Sequence, residues 1–207
     1  MYKKDFREGG KTEKLNYFFC IKNIQIEVKV QWKLEKNLYI PFQKHTNRII
    51  LLKYFPALPI IGDGVVTALK DVKIGVKTAD CTPLVVLGKE RVGIAHIGWR
   101  GLATGIVERL LRELGEDPSN IFAFLGPAAK SCCYRVGEEF KNLFPDYVRQ
   151  RDGKLFMDMQ ESVIKELESF GVRDIGFMEI CTVCSETFPS YRRNKTSERF
   201  LTTVRIP

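Results

Sequence analysis

IGVKTADCTPLVVLGKERVGIAHIGWRGLATGIVERLLREL, residues 74–114, decides the fold class. Within it IGVKTADC, PLVVLG and RVGIAHIGW are short apolar runs separated by turn-forming residues, the pattern of buried strands. From residue 102 the period changes. Leu102, Ile106, Val107, Leu110, Leu111 and Leu114 recur at helical spacing, while Glu108, Arg109, Arg112 and Glu113 take the opposite face. This predicts one amphipathic helix over residues 102–114, capped by Gly115. The strands are joined by short turns, so a mixed sheet is expected rather than a purely parallel one.

The same alternation of elements extends outward. Upstream, IQIEVKVQW (residues 24–32) has a period of two that places Ile24, Ile26, Val28, Val30 and Trp32 on one face of a strand. RIILLKY (residues 48–54) reads as another strand, halted by Pro56 and Pro59, and GDGVVTA (residues 62–68) as a turn and a further strand. Downstream, IFAFLG is a strand, VGEEFKNLF a short helix, MDMQESVIKELESF a longer one and IGFMEI a strand leading into CTVC. With no internal repeat, low-complexity tract or long linker, residues 1–207 read as one domain of the α/β (α+β) class.

Composition narrows the function classes. The chain carries 33 Lys and Arg among 25 Asp and Glu, a formal net charge of +8, but its basic runs are short and interspersed with acids. This reads as a solvated surface, with no nucleic-acid partner expected. No stretch approaches a membrane span and MYKKDFREGG lacks a signal-peptide core, so a cytoplasmic protein without membrane contact is expected. In that compartment the six cysteines read as thiols, metal ligands or catalytic groups rather than disulfides.

Only two histidines are present, His45 and His96. His96 ends an apolar strand directly before Gly98-Trp99-Arg100-Gly101, a turn whose small residues allow close backbone approach. Cys81 sits where another strand leaves into a turn at Pro83, with Asp80 beside it. Two imidazoles and one thiolate make a catalytic zinc shell when a fourth position stays open. Positions 45, 81 and 96 are 36 and 15 residues apart, too far to be a local metal motif. Spacing alone therefore leaves open a buried thiol and hydrogen-bonded histidines.

TADCTPLVVL followed by AHIGWRGL resembles the bacterial laccase-domain, or polyphenol oxidoreductase, family, which includes purine nucleoside phosphorylases and peptidoglycan editing factors. The resemblance runs back through GDGVVTA to QKHTNRI and forward through LGPAAKSCCYRVGEEF to CTVCSETFPSYRR, from about residue 43 to residue 193. It implies His45, Cys81 and His96 as zinc ligands, copper being the less favoured metal. The implied reactions are phosphorolysis of adenosine, inosine, guanosine and methylthioadenosine, and deamination of adenosine, with purine nucleoside and phosphate as partners. The implied fold is a single-domain layered α/β sandwich with a mixed sheet, similar to the catalytic domain of cytotoxic necrotizing factor. The chain departs from the family pattern at Thr46, at Ile97, in AAKSCCY and at the N-terminal FREGGKTEKLN.

Further residues complete the expectations. Asp80 would serve as a proton carrier or a hydrogen-bond partner of the metal site, against a plain turn-forming role. Arg100 would bind phosphate or a substrate oxygen, against packing on Trp99. Arg192 and Arg193 would contact phosphate or simply face water. Cys132, Cys133, Cys181 and Cys184 do not have zinc-ribbon spacing and are expected as buried or site-lining thiols. Two rival chemistries remain. A metal-free Cys–His hydrolase or deamidase would use Cys81 as nucleophile and one histidine as base. A copper-dependent polyphenol oxidase needs far more imidazoles than two.

Overall fold

A computed structural model describes residues 4–5 and 16–207. Of the N-terminal departure FREGGKTEKLN, all but Asn16 lies outside them. Buried apolar runs form a seven-stranded sheet in the order β1 (Lys4–Asp5), β14 (Asp174–Phe177), β10 (Phe122–Leu125), β8 (Thr82–Leu87), β9 (Val92–Ile97), β6 (Gly64–Thr67) and β5 (Ile49–Leu52). It is mixed as expected: β8–β9 and β6–β9 are antiparallel, β5–β6 and β10–β14 parallel. A five-stranded sheet follows the order β2 (Asn16–Ile21), β3 (Ile24–Lys29), β15 (Phe200–Arg205), β7 (Lys73–Thr78) and β4 (Leu38–Tyr39). A small third sheet joins β11 (Arg135–Val136), β13 (Lys154–Met157) and β12 (Val148–Arg151).

Period-two alternation makes β8 and β9 two-sided, which is why they read as unbroken apolar runs. Leu84, Val86, Ala95 and Ile97 pack with the helices, whereas Val85, Leu87, Val92 and Ile94 pack with Ile26, Val28, Ile74, Val76 and Val204 of the five-stranded sheet. The result is a three-layer sandwich of helices, sheet and sheet. Each such Leu or Ile taken from water contributes roughly 1.5–3 kcal/mol.

The helix predicted over residues 102–114 is two helices, α1 (Trp99–Ala103) and α2 (Ile106–Leu114). The break is local chemistry overriding apolar spacing. Thr104 Oγ1 donates back to the Arg100 and Gly101 carbonyls, and Gly105 adopts a left-handed φ of 79° that only glycine takes without strain. Gly115 caps α2 as expected, also left-handed. The strand predicted over residues 24–32 stops at Lys29, with Ile26 and Val28 on its buried face. Two further helices of one turn each, α3 (Phe140–Leu143) and α5 (Tyr191–Asn194), flank the longer α4 (Met159–Ser169), whose N-terminus Asp158 caps by accepting from Glu161 N–H at 2.9 Å. No helix among the described residues is long and apolar enough to cross a membrane.

Candidate metal centre

Strand register builds the site. In β8–β9 Thr82 pairs with Ile97, and one step further the turn residue Cys81 faces Gly98. In β6–β9 Gly64 pairs with Ala95, and one step further Asp63 faces His96, whose N–H donates to the Asp63 carbonyl at 2.7 Å. Three strand ends therefore deliver Asp63, Cys81 and His96 to one spot. His45 comes from the loop before β5 and holds a left-handed φ of 58°.

Asp63 holds that loop in place. Its fully buried carboxylate accepts the backbone N–H groups of Lys44, His45 and Thr46 at 3.2, 3.0 and 2.6 Å, and the Thr46 hydroxyl at 2.8 Å. Three successive amides around one carboxylate form an anion nest, which offsets the strained φ of His45. The same carboxylate meets His96 Nδ1 at 2.8 Å. Nδ1 so occupied leaves Nε2 as the nitrogen free to act as a ligand. Asp63 went unrecognised in the sequence because GDG reads as a turn.

His45, Cys81 and His96 converge, their ligand atoms all within 4.8 Å of one another. The two rings meet edge to face, 4.7 Å between centroids. Gly98 makes the room: a Cβ there would lie 2.9 Å from the His45 ring and 3.3 Å from Cys81 Sγ. The donor set fits a single borderline-soft cation with a fourth position left over. It does not fit a set of several coppers, because both of the chain's histidines are already in this one group.

Electrostatics agree with a charged pair. Burial pushes the Cys81 thiol up, but the His96 charge and hydrogen bonds from both histidines outweigh it and bring Cys81 down to about 6. Burial pushes His96 down, but the Cys81 charge and the Asp63 hydrogen bond outweigh it and raise His96 to about 9. Asp63, raised by burial, is lowered further by His96 and Thr46, to about 2.

A cavity of about 460 Å³ opens over the three residues. Its walls carry the aromatic rings of Phe42, Trp99, Tyr134 and Tyr191 and the cations Lys77, Arg192 and Arg199. Asp80 also lines it, with a left-handed φ of 83°; its carboxylate is engaged by the Thr182 hydroxyl at 2.8 Å and the Arg192 N–H at 2.7 Å. Arg100 is not brought to this group. Its guanidinium lies 4.3 Å over the exposed face of Trp99, because α1 turns it outward. Arg192 stacks 4.1 Å over Tyr134 at the cavity, whereas Arg193 turns away to donate to the carbonyls of Thr182, Val183, Ser185 and Phe188. Arg199, which reads in the sequence as an ordinary surface residue, also lines the cavity.

The fold and the site together define a layered α/β protein with a His–Cys–His group beneath an aromatic, cationic cavity. The chain matches the family described as "Multi-copper polyphenol oxidoreductase laccase" over residues 21–207 and belongs to it. Among its relatives, a purine nucleoside phosphorylase of Aquifex aeolicus is 46% identical over 207 residues, 100% of this chain and 99% of the relative. One of Clostridium acetobutylicum is 30% identical over 173 residues, 76% of this chain and 72% of the relative. The fold is that of a Neisseria meningitidis protein of known structure, with TM-score 0.81, 20% identity and coverage of 90% and 98% of the two chains. YlmD from Geobacillus stearothermophilus is also similar, with TM-score 0.74, 28% identity and coverage of 82% and 73%.

Proposed function

We propose that this protein is a zinc-dependent purine nucleoside phosphorylase that accepts adenosine, inosine, guanosine and methylthioadenosine and also deaminates adenosine. The observation that carries the reading is the meeting, in one cavity, of the His45–Cys81–His96 group with aromatic walls and three cations. A relative named purine nucleoside phosphorylase that aligns over the whole chain supports it.

His45, Cys81 and His96 would hold the zinc, which when bound supplies a Lewis acid that draws electron density from a substrate atom. Phe42 and Tyr191, each about half exposed and lining the cavity, offer ring faces on which a purine would stack. Lys77, Arg192 and Arg199 offer positive charge to phosphate; Arg192 spends one nitrogen on the Arg135 carbonyl and keeps further donors of its planar fork. In phosphorolysis a phosphate oxygen bonds to C1′ of the ribose as the C1′–N9 bond breaks. The electron pair leaves with the purine, which gains a proton, and the products are base and ribose 1-phosphate. Asp80 acts here as a positioning residue. Its carboxylate ties the Arg192 backbone and the Thr182 hydroxyl together beside Cys81.

The alignment Asp63–His96–Cys81 specifically favours one other reading, a metal-free thiolate–imidazolium hydrolase or deamidase. His45 discriminates, since a Cys–His–Asp set has no use for it. The deciding experiment is metal analysis of wild type and His45→Ala, with base and inosine release from adenosine measured with and without phosphate. One zinc in this centre with phosphate-dependent base release, both lost in His45→Ala, is the expected result. Turnover that survives in the metal-free variant would overturn the zinc reading.

A further inference from the structure

A second group of sulfurs lies outside the cavity. Cys132 and Cys133 sit in the turn before β11, and Cys181 and Cys184 in the loop after β14. All four Sγ atoms are within 4.8 Å of one another, with Cys132–Cys184 at 3.6 Å and Cys133–Cys184 at 3.2 Å. Their spacing in the sequence predicts buried or site-lining thiols. Instead Cys132 and Cys184 are exposed and the quartet is gathered at the surface.

The backbone builds this convergence. Ala128 and Cys181 form a bridge in which Thr182 N–H donates to the Ala128 carbonyl at 3.1 Å. Cys133 N–H closes a turn on the Lys130 carbonyl at 2.9 Å, and Ser185 N–H closes another on the Cys181 carbonyl at 2.9 Å.

We propose that Cys132, Cys133, Cys181 and Cys184 form a second metal site, a tetrathiolate that holds one zinc-class ion in a structural role. A tetrahedron of sulfurs at about 2.3 Å from zinc has edges of about 3.8 Å, slightly longer than the 3.2 and 3.6 Å of the two closest contacts described and inside the 4.8 Å that bounds all four. A polynuclear iron–sulfur cluster distributes its cysteines over several irons, whereas these four sulfurs are close enough to share one ion. Four protein ligands close the shell, so the ion supplies no catalysis and cross-links two loops. Those loops form a wall of the cavity: Tyr134 follows the cysteine pair directly, Thr182 between the other two bonds Asp80, and Arg192 donates to the Arg135 carbonyl. The site is independent of the catalytic reading.

The test uses protein purified under reductant and loaded with zinc or cobalt. Wild type is expected to bind two ions per chain, and both Cys81→Ala/His96→Ala and Cys132→Ser/Cys184→Ser one each. In the Cys81→Ala/His96→Ala variant the remaining ion should give the intense thiolate-to-cobalt charge-transfer band of a tetrathiolate. Four of its five thiols should resist alkylation until a chelator is added, Cys20 reacting at once. This variant keeps the quartet, so the result stands even if the Cys132→Ser/Cys184→Ser variant fails to fold. No ion retained by Cys81→Ala/His96→Ala, or a Cys133–Cys184 disulfide in reduced, metal-loaded protein, overturns the proposal.

Discussion

Asp63→Asn removes one charge and almost no volume, and its effect follows from five hydrogen bonds. Three backbone amides, the Thr46 hydroxyl and His96 Nδ1 all converge on the two carboxylate oxygens. An amide offers one oxygen and one NH2, so whichever way it is turned, donors face donors. If its NH2 faces His96, the imidazole must move its proton to Nε2, the nitrogen left for the metal, and the ligand is lost. Replacing the hydrogen-bond partner of a metal-bound histidine typically lowers affinity 10–100-fold, about 1.4–2.7 kcal/mol. Breaking a buried charge pair adds a loss of about 3–5 kcal/mol in folding stability of the metal-free protein. Competition with a chromophoric chelator reads the first quantity and urea unfolding in excess chelator the second. Zinc affinity within twofold of wild type together with an unchanged urea midpoint would refute the roles given to Asp63.

Gly98→Ala should lower zinc affinity by about 1–3 kcal/mol through overpacking, since its Cβ would press on the His45 ring and Cys81 Sγ; unchanged affinity in the chelator assay would mean the ligands are looser than their spacing. Metal affinity should depend on pH with a sign set by Cys81 and His96. Between about 6 and 9 the metal-free pair is thiolate and imidazolium, so binding displaces one proton, from His96; below about 6 it displaces a second, from Cys81; above about 9 neither. Counting these two groups, log affinity rises with unit slope across the window and twice as steeply below it, and calorimetry showing no proton release at pH 7.5 would contradict the pair. Leu110→Ala, in the fully buried face of α2, should cost about 2–5 kcal/mol of stability with zinc stoichiometry unchanged, read by urea unfolding and elemental analysis.

Much of this was legible in the residues. Strands β8 and β9 declare themselves because both their faces are buried, whereas positions 45, 81 and 96 are too far apart to be a local motif and are grouped through the family resemblance. Other features depend on pairing that no local pattern carries. Asp63 matters because β6 places it opposite His96, and the cavity arginines because α5 and the start of β15 fold back over Cys81. The CC and CxxC pairs lie about fifty residues apart and meet only through the Ala128–Cys181 bridge. The break at Thr104–Gly105 was visible in composition, but the apolar spacing around it outweighed it.

The position of β15 between β3 and β7 bears on the order in which the molecule assembles. Val204 pairs with Ile26 and Leu201 with Lys77, contacts that close very long loops, whereas β8 and β9 are a hairpin. Loop closure slows pairing, so β5, β6, β8 and β9 of the seven-stranded sheet are expected to pair before β15 enters between β3 and β7. His45, Cys81 and His96 all stand on or beside the early block, while Arg192 and Arg199 arrive with the late strand. The proposed ion site is thus assembled before the cavity above it is complete, and hydrogen-exchange labelling during refolding should protect β8–β9 amides ahead of those of β15.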